Sequence, residues 1–120
     1  MARFDNFKFQ VQEKKKLRVI LDTDAACEAD DPFAIVHALL TPRFHVKGII
    51  AELFANEDGG ESVDQSYEVI QKILGLMKIE DVPVLHGSYR KLAKEEDVLV
   101  SEGADFIIEE ARKESKEPLY

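Results

Sequence analysis

The chain has 120 residues, enough for one small domain with a modest core. Its 24 acids against 16 bases leave a net charge of −8, which argues against nucleic acid or an anionic membrane as a partner, since either wants a basic face. There is no transmembrane-length apolar run and no apolar leader-like segment at the start, and the single cysteine, Cys27, excludes an intramolecular disulfide and fits a reducing, cytoplasmic setting.

Residues 1–16 read as an arm or a short edge strand. Phe7, Phe9 and Val11 alternate with polar residues, and Lys14-Lys15-Lys16 forms a solvated boundary before the first core strand. From residue 17 to residue 120 the pattern is strand, helix, strand, helix, strand, helix. That order implies a parallel, Rossmann-like open α/β sheet with helices on both faces and three core strands.

The first strand, Leu17 to Leu21 with Arg18 inside it, is apolar enough to be covered on both faces. It runs into a loop crowded with acids: Asp22, Asp24, Glu28, Asp30 and Asp31. Asp30 or Asp31 is expected to cap the helix that follows, with Pro32 in its first turn. Phe33, Ile35, Val36, Leu39 and Leu40 form the apolar stripe of that helix, and Thr41-Pro42 ends it. His37 has no second histidine at metal-binding spacing and reads as a surface or core-rim residue.

Five carboxylates between a strand's carboxyl end and a helix start lie where open α/β sheets bind ligands. Acids packed together repel unless one takes a proton or a hard divalent cation removes the conflict. Calcium and magnesium take oxygen ligands, so two or three of these acids can hold an ion and another can act as a base. An ordinary solvated loop is the plain alternative, and the strand-end position weighs against it.

Phe44 to Leu53 reads as the second strand, ending at Glu52 on the same sheet edge as Asp22 and Asp24. The loop after it holds Asn56 and Gly59-Gly60, without dinucleotide or P-loop spacing. Ser62-Val63-Asp64-Gln65 has the form of a capping box, opening a helix with Val69, Ile70, Ile73, Leu74 and Met77 on one face and Tyr67 packed beside them. Val82 to Leu85 is the third strand, which places His86 at its carboxyl end. Ser101 is expected to cap a last helix, with Phe106, Ile107, Ile108 and Ala111 turned inward. Pro118-Leu119-Tyr120 looks like the start of a fourth strand, so the chain is expected to be the amino-terminal part of a larger domain.

Asp22-Thr23-Asp24, then Asp30-Asp31 and Phe33-Ala34-Ile35, resembles the amino-terminal signature of the nucleoside hydrolases. Val46 to Ile50, Asp81 to Val84 with His86-Gly87, Gly103-Ala104-Asp105 and Pro118-Leu119-Tyr120 match further segments, so the resemblance covers residues 17 to 120. It implies calcium-dependent hydrolysis of the N-glycosidic bond of ribonucleosides, in purine or pyrimidine salvage, by a homo-oligomer.

The resemblance also implies roles for particular residues. Asp24 and Asp31 would be calcium ligands, Asp22 would support the ion, and Asp30 would be the general base. Asn56, with one residue gapped to align it, is a candidate substrate contact. Glu52 and His86, from their strand-end positions, are two more.

The family's loop runs D-x-D-P-G-x-D-D, with three residues between the second and third acids. Here there are five, Ala25 to Ala29, and the Pro-Gly is missing, as in a longer-loop variant. The isolated chain is expected to be inactive, with the remaining ligands and the leaving-group acid beyond it.

Two other readings remain open at this level. One is a magnesium-dependent phosphatase of the haloacid dehalogenase type, with Asp22 as nucleophile and Asp24 as acid/base. It leaves Asp30-Asp31 unexplained, and Ala26 stands where that family expects Thr or Val. The other is a non-catalytic binding or assembly module.

Overall fold

A computed structural model describes residues 3–55, 57 and 59–120. Three parallel strands form one sheet in the order β1 (Leu17–Thr23), β2 (Phe44–Ala51), β3 (Val84–His86). The β1–β2 register slips by one residue after Val19, so Ile20 lies opposite Gly48 and Asp22 opposite Ile50. The slip puts Asp22, Ile50 and Glu52 on one face of the sheet. The parallel α/β architecture expected from the sequence is what is observed, with strand limits moved by one or two residues.

Leu119 continues the sheet. It bridges in parallel to Arg18 on the side of β1 away from β2, and the amide of Ile20 donates to the carbonyl of Tyr120 at 2.8 Å. Residues 3–16, by contrast, hold turns and a short 3-10 helix, Glu13–Lys15, with Phe4, Phe7 and Phe9 packed edge to face.

Helices α1 (Asp30–Leu39) and α2 (Glu61–Met77) cover one face. Ile35, Leu39, Val46, Ile49, Val63, Ile70 and Leu74 form the buried cluster between them and the sheet. The sequence had placed Phe33 and Leu40 on the α1 stripe, yet they are 78% and 45% exposed. The buried set is Ile35, Ala38 and Leu39, spaced three and four apart, and Phe33 falls outside that period.

Neither aspartate caps α1. Its N-cap is Ala29, without a side-chain bond, and both acids sit in the first turn, where the helix dipole favours them. The capping box is displaced too: Gly60, at φ 96°, is the N-cap of α2. Ser62 is fully buried and accepts from the amides of Phe54 and Ala55 at 3.2 and 3.3 Å.

Helix α3 (Glu102–Arg112) packs on the opposite face and is capped by Ser101, whose hydroxyl accepts from the Ala104 amide at 3.1 Å. Its inward residues are Gly103, Phe106 and Glu110. Ile107 and Ile108 are 39% and 45% exposed and Ala111 is exposed, contrary to the apolar stripe expected. The reason is Arg18: a cation buried in β1 draws an acid, Glu110, to the inner side of α3.

At Gly103 the helix meets the sheet closely. A Cβ there would lie 2.5 Å from Ile50 Cγ2. Gly103→Ala is therefore expected to lower stability by about 1–3 kcal/mol in a denaturant titration. Gly75→Ala, at an exposed helical position facing open space, should raise it by up to about 1 kcal/mol. Equal effects of one sign would rule out the close approach as the cause.

Candidate functional site

The strand ends bring carboxylates together in two pairs. The side chain of Asp24, just past β1, lies within hydrogen-bonding reach of Asp31 in the first turn of α1, so that one proton can be shared between them. This sharing pushes the Asp31 carboxyl above its ordinary range. Partial burial and the charges of Asp24 and Asp30 add to the effect, and the Thr23 hydroxyl opposes it. The second pair is Asp22 and Glu52. Burial first, then the hydrogen bond and charge of Asp22, push Glu52 up to about 7. The Glu52 carboxyl lies directly over Gly87, where a Cβ would come within 2.4 Å of it. A side chain at this position would require the Glu52 carboxyl to move.

The five residues between Asp24 and Asp30 do not keep Asp24 and Asp31 apart. Ala25 is 2% exposed and sits in the core cluster. The Ala26 amide donates to the hydroxyl of Ser66 at 3.4 Å, and the Cys27 amide closes a turn onto the Asp24 carbonyl at 2.8 Å. Cys27, Glu28 and Ala29 then bulge into solvent before α1 begins. The exposed Cys27 thiol is pushed up by the slight desolvation that neighbouring atoms impose and by the charges of Asp24, Glu28, Asp31 and Asp30.

The other site residues expected from the sequence are placed apart from the two pairs. Asp30 is exposed and acts on Asp31 through its charge. Asn56 lies outside the described residues. His86 ends β3 in a cluster of its own. Its ring stacks on Tyr67 at 4.0 Å between centroids, with Tyr89 at 6.0 Å beyond. Nδ1 is 3.2 Å from the Glu102 carboxylate and Nε2 is 3.6 Å from Asp64. The His86 backbone amide holds Glu102 below its usual range, against partial burial and with help from the ring. Tyr67 thus packs as expected, but against this histidine as well as against its own stripe.

Two clefts border the sheet. One of about 420 Å³ lies between α3 and residues 88–101, with Ile50 and Glu52 in its lining. Another of about 400 Å³ opens at the far end of the strands. Its Arg3 and Lys16 pair with Asp81 and Glu13, His45 lies 3.3 Å from Glu117, and the cleft lies away from the acidic strand ends.

Three contributors were not read from the sequence in the parts they play here. Thr23 is 8% exposed, and its Oγ1 makes no hydrogen bond of ordinary geometry, although it lies near enough to act on Asp31. Ser62 and Ser66 are small polar residues one turn apart on an otherwise apolar helix face, and that pattern was the available signal.

Calcium needs about six to eight oxygens. Among the described residues no group of three or more His, Cys, Asp or Glu side chains gathers as a metal shell would. What is present is a pair of carboxylates within hydrogen-bonding reach of each other, beside the buried Thr23 hydroxyl. These are all-oxygen donors, the type a hard cation takes, but they are fewer than a calcium shell needs.

No family model and no solved structure matches the chain. A stretch of 79 residues is 34% identical to the pyrimidine-specific ribonucleoside hydrolase RihA of Salmonella arizonae, covering 66% of this chain and 23% of that enzyme. The chain thus spans less than a quarter of the length of the curated relative it matches. This is a weak similarity, at the level of a superfamily, and it points to a hydrolase of this general kind. Among the described residues no helix is long and apolar enough to cross a membrane.

Proposed function

We propose that the chain carries the acidic half of a nucleoside hydrolase-type site, which hydrolyses the N-glycosidic bond of a ribonucleoside or a related N-riboside. The observation that carries this reading is the contact of Asp24 with Asp31 at the carboxyl end of β1, across a loop long enough to have let them part. The similarity to a ribonucleoside hydrolase names the chemistry.

In this reading Asp24 and Asp31 hold a calcium ion, with Asp22 beside it. When bound, calcium orients a water molecule and makes it more acidic. Asp30, exposed and free to turn, takes the proton as general base. The unpaired charge on neighbouring carboxylates stabilises the oxocarbenium-like character that develops at the anomeric carbon. Glu52, from the end of β2, faces the ribose side and His86 stands at the rim, and Asn56 is a further substrate contact in this proposal. A cytoplasmic setting and self-association belong to the same proposal.

Calorimetric titration tests the metal. The 120-residue chain is expected to bind calcium, and Asp31→Asn to weaken binding at least tenfold while the circular dichroism spectrum is unchanged. A folded chain that takes up no calcium at millimolar concentration would remove the proposal's basis. In the protein that carries this loop, release of ribose from uridine is the expected activity. Release of phosphate from p-nitrophenyl phosphate would point to the phosphatase reading instead.

A further inference from the structure

We propose that Ser66 is a positioning residue of the acidic site, holding the long loop after β1 in the register that lets Asp24 meet Asp31. This rests on the reading that these acids form the site, and extends it to a residue that touches neither substrate nor ion. Ser66 is fully buried on the inner face of α2, in the company of Val63 and Ile70. A buried hydroxyl on an apolar helix face needs a partner, and the one it has on the loop is the Ala26 amide, 3.4 Å away.

The consequence is local and directional. Asp24 precedes that amide by two residues, and the turn from Cys27 back to the Asp24 carbonyl ties the two together. Ala25 between them is sunk in the core. The rest of the loop before α1, Cys27 to Ala29, comes after the Ser66 contact and is exposed. The exposed part of the loop therefore lies downstream of a fixed point, and Asp24 keeps its place.

Ser62, one turn earlier and equally buried, accepts from the Phe54 and Ala55 amides of the loop after β2. The two serines register two loops against a single helix, and each is a control for the other.

Amide hydrogen exchange of the whole chain tests this without any ligand. Ser66→Ala is expected to speed exchange at Ala26 tenfold or more and to leave Phe54 within twofold of the wild type. Ser62→Ala should do the reverse. Calcium affinity should fall at least fivefold in Ser66→Ala and less than twofold in Ser62→Ala. If Ser66→Ala does not fold, Ser66→Cys fills nearly the same space with a much weaker acceptor and carries the same readouts.

Unchanged exchange at Ala26, equal loosening of both loops by either serine variant, or calcium affinity equal to the wild type overturns the role. A wild type that binds no calcium overturns the metal reading alone, and the exchange rates then still decide the part played by Ser66.

Discussion

Arg18→Ala is expected to lower the unfolding free energy by about 3–5 kcal/mol, a large share of the roughly 5–15 kcal/mol of a typical domain. Arg18 is 8% exposed in β1. Its Nε donates to the Glu117 carbonyl and its Nη1 to the Glu110 carbonyl, both at 3.0 Å, and Nη1 lies 3.6 Å from Glu110 Oε2. One side chain thus ties the sheet to α3 and to the segment that pairs along β1.

Burial pushes the Glu110 carboxyl up, but Lys113, Lys47 and Arg18 outweigh it and hold the group below its usual range. A carboxyl held low contributes stability that is present above the unfolded value of about 4.3 and lost as pH falls through the folded one. The cost of Arg18→Ala should therefore shrink in acid, where the stranded carboxyl can take a proton. Urea titrations at pH 7 and below pH 4 check both points. The double replacement of Arg18 by Met and Glu110 by Leu should recover most of the loss, since it strands no charge. A cost below about 1 kcal/mol at pH 7 would show that the buried cation holds nothing together.

The second large effect has the opposite sign. Glu52→Gln is expected to stabilise the metal-free chain at pH 8 and to change little at pH 4. Glu52 is raised to about 7 by burial and by Asp22. A group raised on folding contributes stability that is whole below its unfolded value and disappears as pH rises through the folded one. Between about pH 4.3 and 7 the chain should therefore lose stability as the pair is forced to ionise, and Asp31, also raised, acts in the same direction. Allowing for the solvent that reaches the partly buried Glu52 and the exposed Asp22, about 1–2 kcal/mol is at stake. Glutamine keeps the hydrogen bond to Asp22 without the charge. Equal denaturation midpoints for wild type and variant at pH 8 would mean the two carboxylates do not meet.

Much of the sheet was legible because the strands are short apolar runs bounded by turn residues, and parallel order followed from helices between them. The acidic edge was legible for the same reason, since a strand end fixes where Asp22, Asp24 and Glu52 go. Helix faces were read less well where a polar group occupies the interior. Counting apolar residues turned Ile107 and Ile108 inward, when the buried position belongs to Glu110, drawn there by Arg18 from a strand some ninety residues away. Ser62 looked like a cap because local spacing cannot tell a hydroxyl that serves its own helix from one that serves a neighbouring loop. The pairing of Asp31 with Asp24 over a capping role is likewise a tertiary outcome. The histidine cluster gave no local signal, since Tyr67, Asp64 and Glu102 come from two different helices.

The crowding of Asp22, Asp24, Asp30, Asp31 and Glu52 at one rim of the sheet also acts at a distance. Field lines leaving that rim draw small cations in and turn phosphate groups away before any contact is made, most strongly in dilute salt. On the proposed function, an uncharged sugar–base conjugate would approach more readily than its phosphorylated counterpart, a selection by charge ahead of any selection by shape.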